Sequence, residues 1–129
     1  MKTAIYFCLS LAFAFALLFG GRAAFAADSS ACQAECNKCA SMCEQTAAHS
    51  KKSKGDTATV KKMEDCAKMC RTSADFIKRD SEQSAKVCAV CQDLCNTCAE
   101  SCEKSTDAKL KACADECRNC ADHCKKMAG

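Results

Sequence analysis

The chain has 129 residues, of which 16 are cysteine and none is proline or tryptophan, and its formal net charge is +3. Beyond the first 26 residues, where Lys2 and Arg22 drop out, 17 basic side chains face 16 acidic ones. With no basic patch to meet a phosphate backbone, nucleic acid is excluded as a partner. Large aliphatic and phenylalanine side chains number only seven in that stretch: Val60, Phe76, Ile77, Val87, Val90, Leu94 and Leu110. That is far under the ~20% below which a charged chain is expected to stay disordered. A fold then has to use cysteine, a small buried hydrophobe when free, as its core.

The chain opens as a secretory leader. Met1–Lys2 is a short basic start, Ala4–Leu18 an almost unbroken apolar run, and Ala24-Phe25-Ala26 supplies small residues where a signal peptidase reads them, so cleavage is expected before Ala27. The run is short for a membrane span of ~20 residues, and Cys8 lacks the small residues a lipoprotein site needs ahead of its cysteine. Residues 1–26 are read as signal peptide and 27–129 as one exported domain, periplasmic or extracellular, with no membrane attachment after cleavage.

Four helices are expected beyond it. Alanine, lysine, glutamate, glutamine and methionine dominate, all helix formers, and no run of β-branched or aromatic residues has period two. Asp28, Ser29 or Ser30 can cap a first helix to about Ser50, ended by Lys51-Lys52-Ser53-Lys54-Gly55. Asp56 caps a second to about Arg79, Asp80-Ser81 starts a third to about Lys104, and Ser105 or Thr106 caps a fourth ending near Met127. Four such helices with short connections predict an all-α, antiparallel up-down four-helix bundle.

The cysteines follow the helices. The first carries Cys32, Cys36, Cys39 and Cys43; the second only Cys66 and Cys70; the third Cys88, Cys91, Cys95, Cys98 and Cys102; the fourth Cys113, Cys117, Cys120 and Cys124. Steps of three and four mark the seam a helix turns toward its partners, so the bundle should enclose a column of sulfur. Met63 lies on the second seam, at the end shared with Cys43, Cys102 and Cys113, which is read as the more open end. Phe76, Ile77 and Val87 gather opposite as an apolar plug.

Three chemistries suit such a column. A disulfide scaffold fits a secreted, core-poor chain, although cysteines one turn apart on a helix are poorly set to bridge and fifteen thiols leave one over. Zinc or iron–sulfur binding would use sets of four thiolates, but a four-thiolate zinc site carries −2, costly to stack in a dry core. Cuprous copper is soft and favoured by thiolate; with bridging thiolates, each Cu⁺ replaces one thiol proton and the filled core stays neutral. The charge arithmetic favours copper. No Ser/His/Asp set, HExxH or Glu-x-x-His pair supports an enzyme.

The repeats CQAECNKCASMC (Cys32–Cys43), CAVCQDLCNTCAESC (Cys88–Cys102) and CADECRNCADHC (Cys113–Cys124) resemble the bacterial copper storage proteins. The resemblance implies a four-helix bundle whose fifteen cysteines within 27–129 hold many Cu(I) ions for storage. It also implies homo-oligomers, commonly tetramers, methionine or histidine near the open end, and exchange with copper-delivering or copper-accepting proteins. Exported members are known with a twin-arginine signal, whereas this leader, with Lys2 alone, looks general-secretory. Outside the seam, His49 and His123 read as surface residues, and Met42 and Met69 as packing. Val87, Val90 and Leu94 read as a stripe against a neighbouring helix, and Lys51, Lys52 and Lys54 as a solvated turn. Met63 is the one non-thiol ligand candidate.

Overall fold

The computed structural model describes residues 2–129, with side chains from residue 24 onward. It consists of four helices: α1 Lys2–Lys52, α2 Thr57–Lys78, α3 Ser84–Glu103 and α4 Ala108–Ala128. Each packs on its neighbours in chain order and α4 returns to α1, while the backbones of the diagonal pairs stay apart. This is the expected antiparallel ring.

Three boundaries differ from expectation, each for a local reason. Asp28, Ser29 and Ser30 do not cap α1; they lie inside it, because alanine-rich sequence without proline continues the helix from above them. The expected leader falls largely outside the residues whose side chains are described. Asp80 does not start α3. It adopts φ 51° as the left-handed residue that ends α2, with Ser81 N–H donating to the Phe76 carbonyl at 3.1 Å and Asp80 N–H to the Ile77 carbonyl at 3.0 Å. That pair of bonds is a Schellman motif, and aspartate tolerates the left-handed region better than most residues. α3 therefore begins later, at Ser84. Asp107, not Ser105 or Thr106, caps α4: its Oδ1 accepts from Lys109 N–H at 2.8 Å, and Ser105 Oγ accepts from Asp107 N–H at 3.1 Å.

The cap expected at Asp56 is present, its Oδ2 accepting from Thr59 N–H at 2.8 Å. α1 ends like α2. Lys54 takes the left-handed conformation (φ 56°), and Gly55 N–H donates to the Ser50 carbonyl at 2.7 Å. Glycine at 55 suits a close approach, since a Cβ there would stand a tight 3.2 Å from both Ser50 Cβ and its carbonyl oxygen.

Inside the ring, all fifteen described cysteines are fully buried and free. Alanines fill the gaps where backbones approach, and the larger buried apolar side chains are Val60, Met63, Ile77 and Met127. Phe76 and Val87 are half-buried, so the plug opposite Met63 is chiefly Ile77; Arg79 lies over the Phe76 ring at 4.9 Å. Val90 is 48% exposed and Leu94 half-buried, which dissolves the expected packed stripe. Met42 and Met69 pack on the core as expected.

Two surface clamps set the helix register. Arg71 on α2 makes a fork to Glu44 on α1 (3.2 and 3.3 Å) and reaches Asn37 Oδ1 at 3.2 Å. Arg118 on α4 repeats the arrangement on α3, with Glu103 at 3.0 and 3.1 Å and Asn96 Oδ1 at 3.1 Å. A planar guanidinium fork fixes geometry better than a point charge can.

Candidate metal centre

Because each seam advances by three and four residues, thiols from different helices meet at successive heights along the bundle axis. Sulfur–sulfur separations between helices are 3.6 Å for Cys43–Cys117 and Cys66–Cys95, 3.7 Å for Cys36–Cys124, Cys43–Cys113, Cys70–Cys91 and Cys70–Cys95, and 3.8 Å for Cys70–Cys120 and Cys36–Cys120. Along single helices, Cys32–Cys36 and Cys66–Cys70 stand 4.0 Å apart and Cys91–Cys95 3.9 Å.

Five sets of sulfur atoms lie within 4.8 Å of one another: Cys32/Cys88/Cys124, Cys36/Cys91/Cys120/Cys124, Cys39/Cys70/Cys95/Cys120, Cys39/Cys43/Cys66/Cys117 and Cys43/Cys98/Cys113/Cys117. Neighbouring sets share members. Cys124, Cys120 and Cys39 each join two consecutive sets, and Cys43 and Cys117 join the last two. Eight cysteines, Cys36, Cys39, Cys66, Cys70, Cys91, Cys95, Cys117 and Cys120, fall in the three central sets, with all four helices contributing.

This sharing decides what the column can hold. A tetrahedral four-sulfur site with metal–sulfur bonds of about 2.3 Å has edges of about 3.8 Å, so each set alone has room for zinc. No more than two of the four tetrads, however, can be chosen without using a thiolate twice. Closed tetrahedral sites would leave much of the column idle, whereas a metal that accepts bridging thiolates uses all of it.

Proton sharing links the thiols. Contact with Cys124 and then Cys36 holds the Cys120 thiol well below the ordinary range, while contact with Cys120 first pushes Cys36 well above it. Cys66 is pulled down by Cys117 and Cys39, and Cys43 pushed up by Cys113 and Cys117. At the column's end, Cys124 draws the Cys88 thiol down, but donation to Cys32 and burial outweigh it and raise Cys88 to about 12. Metal must displace protons from the raised thiols, so loading tightens as pH rises.

Cys102 stands outside the five sets, yet it is fully buried, and the neighbouring Cys113 and then Cys98 push its thiol up. Met63 is fully buried on its seam. The loop end it shares has a cleft of about 470 Å³, walled by residues such as Ser50, Lys62, Ser101 and Asp107; Met63 is not part of that wall. Among the described residues no histidine enters a candidate metal set. His49, expected as a freely solvated helix end, is instead half-buried and paired through Nε2 with Asp107 Oδ2 at 2.7 Å, joining α1 to the cap of α4. His123 is half-buried beside Cys124. Lys51 pairs with Glu64, while Lys52 and Lys54 are exposed.

Sequence reasoning did not find the Arg71 and Arg118 clamps, nor a carboxylate beside the column. Glu116 is 9% exposed, with Lys38 Nζ at 2.9 Å and Oε1 unpartnered. Burial first, and then Glu35 beside it, raise its pKa against the pull of Lys38.

The family model described as copper storage protein matches residues 22–129. Among solved structures, the chain is similar to the Nmul_A1745 protein from Nitrosospira multiformis at 37% identity, covering 78% of this chain and 94% of that one, with a TM-score of 0.74. It is similar to Cu(I)-bound copper storage protein BsCsp3 at 27% identity, over 79% and 99% of the two chains, with a TM-score of 0.76. The apo form of copper storage protein 3 from Bacillus subtilis matches at 28% identity, over 78% and 99%, with a TM-score of 0.74. No curated protein matches the chain.

Proposed function

Because the chain belongs to the copper storage protein family, we propose that its fifteen seam cysteines, with Met63 at the loop end of α2, bind and store many Cu(I) ions in the bundle core. The observation that carries this reading is the overlap of the five sulfur sets. A shared thiolate is an obstacle to closed tetrahedral sites and an asset to bridged Cu(I), a soft ion that thiolate ligands select. Neutrality supports it further. Each Cu⁺ replaces one thiol proton, so the buried column gains no net charge, whereas every four-thiolate zinc site would add −2 to a core that holds no counter-charge.

Storage, in this reading, involves no catalytic turnover. The leader is removed before Ala27 and the domain acts in the cell envelope or outside the cell, taking copper from delivering proteins and releasing it to acceptors. It does so as a homo-oligomer, a tetramer by family likeness. The Ala4–Leu18 run and the small residues before Ala27 support the export step.

A competition under reducing conditions tests the assignment. Reduced protein offered equimolar Cu(I) and Zn(II) should retain copper almost exclusively. Preferential retention of zinc, two ions per chain, would replace storage of Cu(I) by a pair of tetrahedral structural sites.

A further inference from the structure

The two hairpins of the bundle follow one plan. At one constant offset, Asn37, Cys39, Cys43 and Glu44 of α1 recur on α3 as Asn96, Cys98, Cys102 and Glu103. At a second, Cys66, Cys70 and Arg71 of α2 recur on α4 as Cys113, Cys117 and Arg118. The structure uses the matched residues alike: Arg71 grips Glu44 and Asn37 as Arg118 grips Glu103 and Asn96, atom for atom. The clamps align α2 with α4, and their seams step identically, Met63-Cys66-Cys70-Ser73-Ile77 against Leu110-Cys113-Cys117-Cys120-Cys124.

On this alignment Ser73 is the counterpart of Cys120 and Ile77 the counterpart of Cys124. Those two cysteines each belong to two of the sulfur sets. Ser73 is wholly buried, and its Oγ has no hydrogen-bond partner. A buried hydroxyl left unpaired is costly, and nothing in the packing of α2 calls for one there. Serine differs from cysteine by one atom, but its hydroxyl keeps its proton at neutral pH and is a hard donor that Cu(I) does not favour. Ile77, 5% exposed, has no donor at all.

We propose that Ser73 and Ile77 occupy a metal-ligand pair of the column in non-binding form, the α2 counterpart of Cys120 and Cys124. Copper at the Cys32–Cys88–Cys124 end is then held by α1, α3 and α4 alone, and the column is lopsided by two thiolates. The inference rests on the storage reading above, since it treats the seam as a Cu(I) ligand set. Completing the pair adds two S–H groups. Each exchanges its proton, released to buffer, for one Cu⁺, and no electron is transferred.

The test compares the reduced parent, Ser73→Cys, Ser73→Cys/Ile77→Cys and the mirror variant Cys120→Ser/Cys124→Ile. Each is titrated with Cu(I) until a chromogenic Cu(I) chelator begins to capture the excess, with helicity recorded at each step. With about one ion per bridging thiolate, Ser73→Cys should gain about one ion and the double variant about two, while the mirror variant should lose about two. The single variant changes one atom, so it reports even where loss of the Ile77 side chain loosens the double variant. Parent capacity in both gain variants, with helicity intact, would overturn the proposal while leaving storage standing. A reduced parent that binds no Cu(I) would overturn the storage reading and this inference together.

Discussion

The α3–α4 hairpin carries nine seam cysteines and the α1–α2 hairpin six, yet both are held by the same arginine–glutamate–asparagine clamp and the same buried alanines, Ala40 with Ala67 and Ala99 with Ala114. Thiol density therefore varies without disturbing helix register. In an ordinary bundle the seam residues both position the helices and form the core. Here positioning rests on residues flanking the seam, and the seam is free to be chosen for metal chemistry. The thiol-poor α2 follows the same geometry as α4, with methionine, serine and isoleucine where its counterpart has leucine and cysteine.

If seam and register are separable, emptying the seam of metal should cost stability without erasing the fold. The metal-free bundle buries few large apolar side chains, each worth only ~1.5–3 kcal/mol, and copper that binds the folded form alone stabilises it by mass action. At free copper ~1,000 times the dissociation constant, that is about 4 kcal/mol, or roughly 15–30 °C in melting temperature for a domain of this size. Thermal unfolding of apo and loaded protein followed by circular dichroism measures it; coincident transitions would contradict this view of the core.

A sharper comparison removes the only two thiols of α2. Cys66→Ser/Cys70→Ser should lower copper capacity by about two ions and retain helicity, because Val60, Met63 and Ile77 still pack α2 and Arg71 still clamps it. Helix loss in the reduced double variant would show that the thiols themselves set the packing.

The converse substitutions act on register alone. Arg71→Ala and Arg118→Ala each break a half-exposed fork, so each should lower the apo denaturation midpoint only slightly, equally in the two hairpins, with unchanged copper capacity. Loss of several ions from either variant would mean that the clamps and the column are one unit.

The smallest effect belongs to the loop end. His49, and then the Lys109 backbone, hold the Asp107 carboxyl below the usual carboxylate range. A carboxylate lowered on folding adds stability that is present above its unfolded pKa of about 3.9 and is lost as pH falls through the lower folded value. Asp107→Asn keeps a good helix cap and removes the charge, so its stability should fall less than the parent's between about pH 4 and pH 2. Parallel acid profiles would show that the pair contributes nothing there.

The ring of four helices and the single seam per helix were legible in the sequence because one residue type marks both. Steps of three and four in cysteine carry the helical period and the inward direction together, and no proline or strand pattern competes. The start of α3 was not legible: aspartate both caps helices and tolerates left-handed backbone, and only the bonds back to Phe76 and Ile77 show which role Asp80 takes. The His49–Asp107 pair and the lysine at Glu116 depend on how α1 and α4 are rotated against each other, which no single helix encodes. The clamps were written in the chain as a matched set, Asn37, Glu44 and Arg71 with Asn96, Glu103 and Arg118, and became readable once the two hairpins were overlaid.

The central claim is that one continuous, bridging thiolate column stores Cu(I). Native mass spectrometry of the reduced protein at copper saturation tests it most directly, because it counts ions and displaced protons together. The account predicts more than about ten Cu(I) per chain, each adding the mass of one copper less one proton, as a neutral bridged core requires. Saturation at two to four ions, with more than one proton lost per metal, would contradict it and assign the cysteines to isolated closed sites.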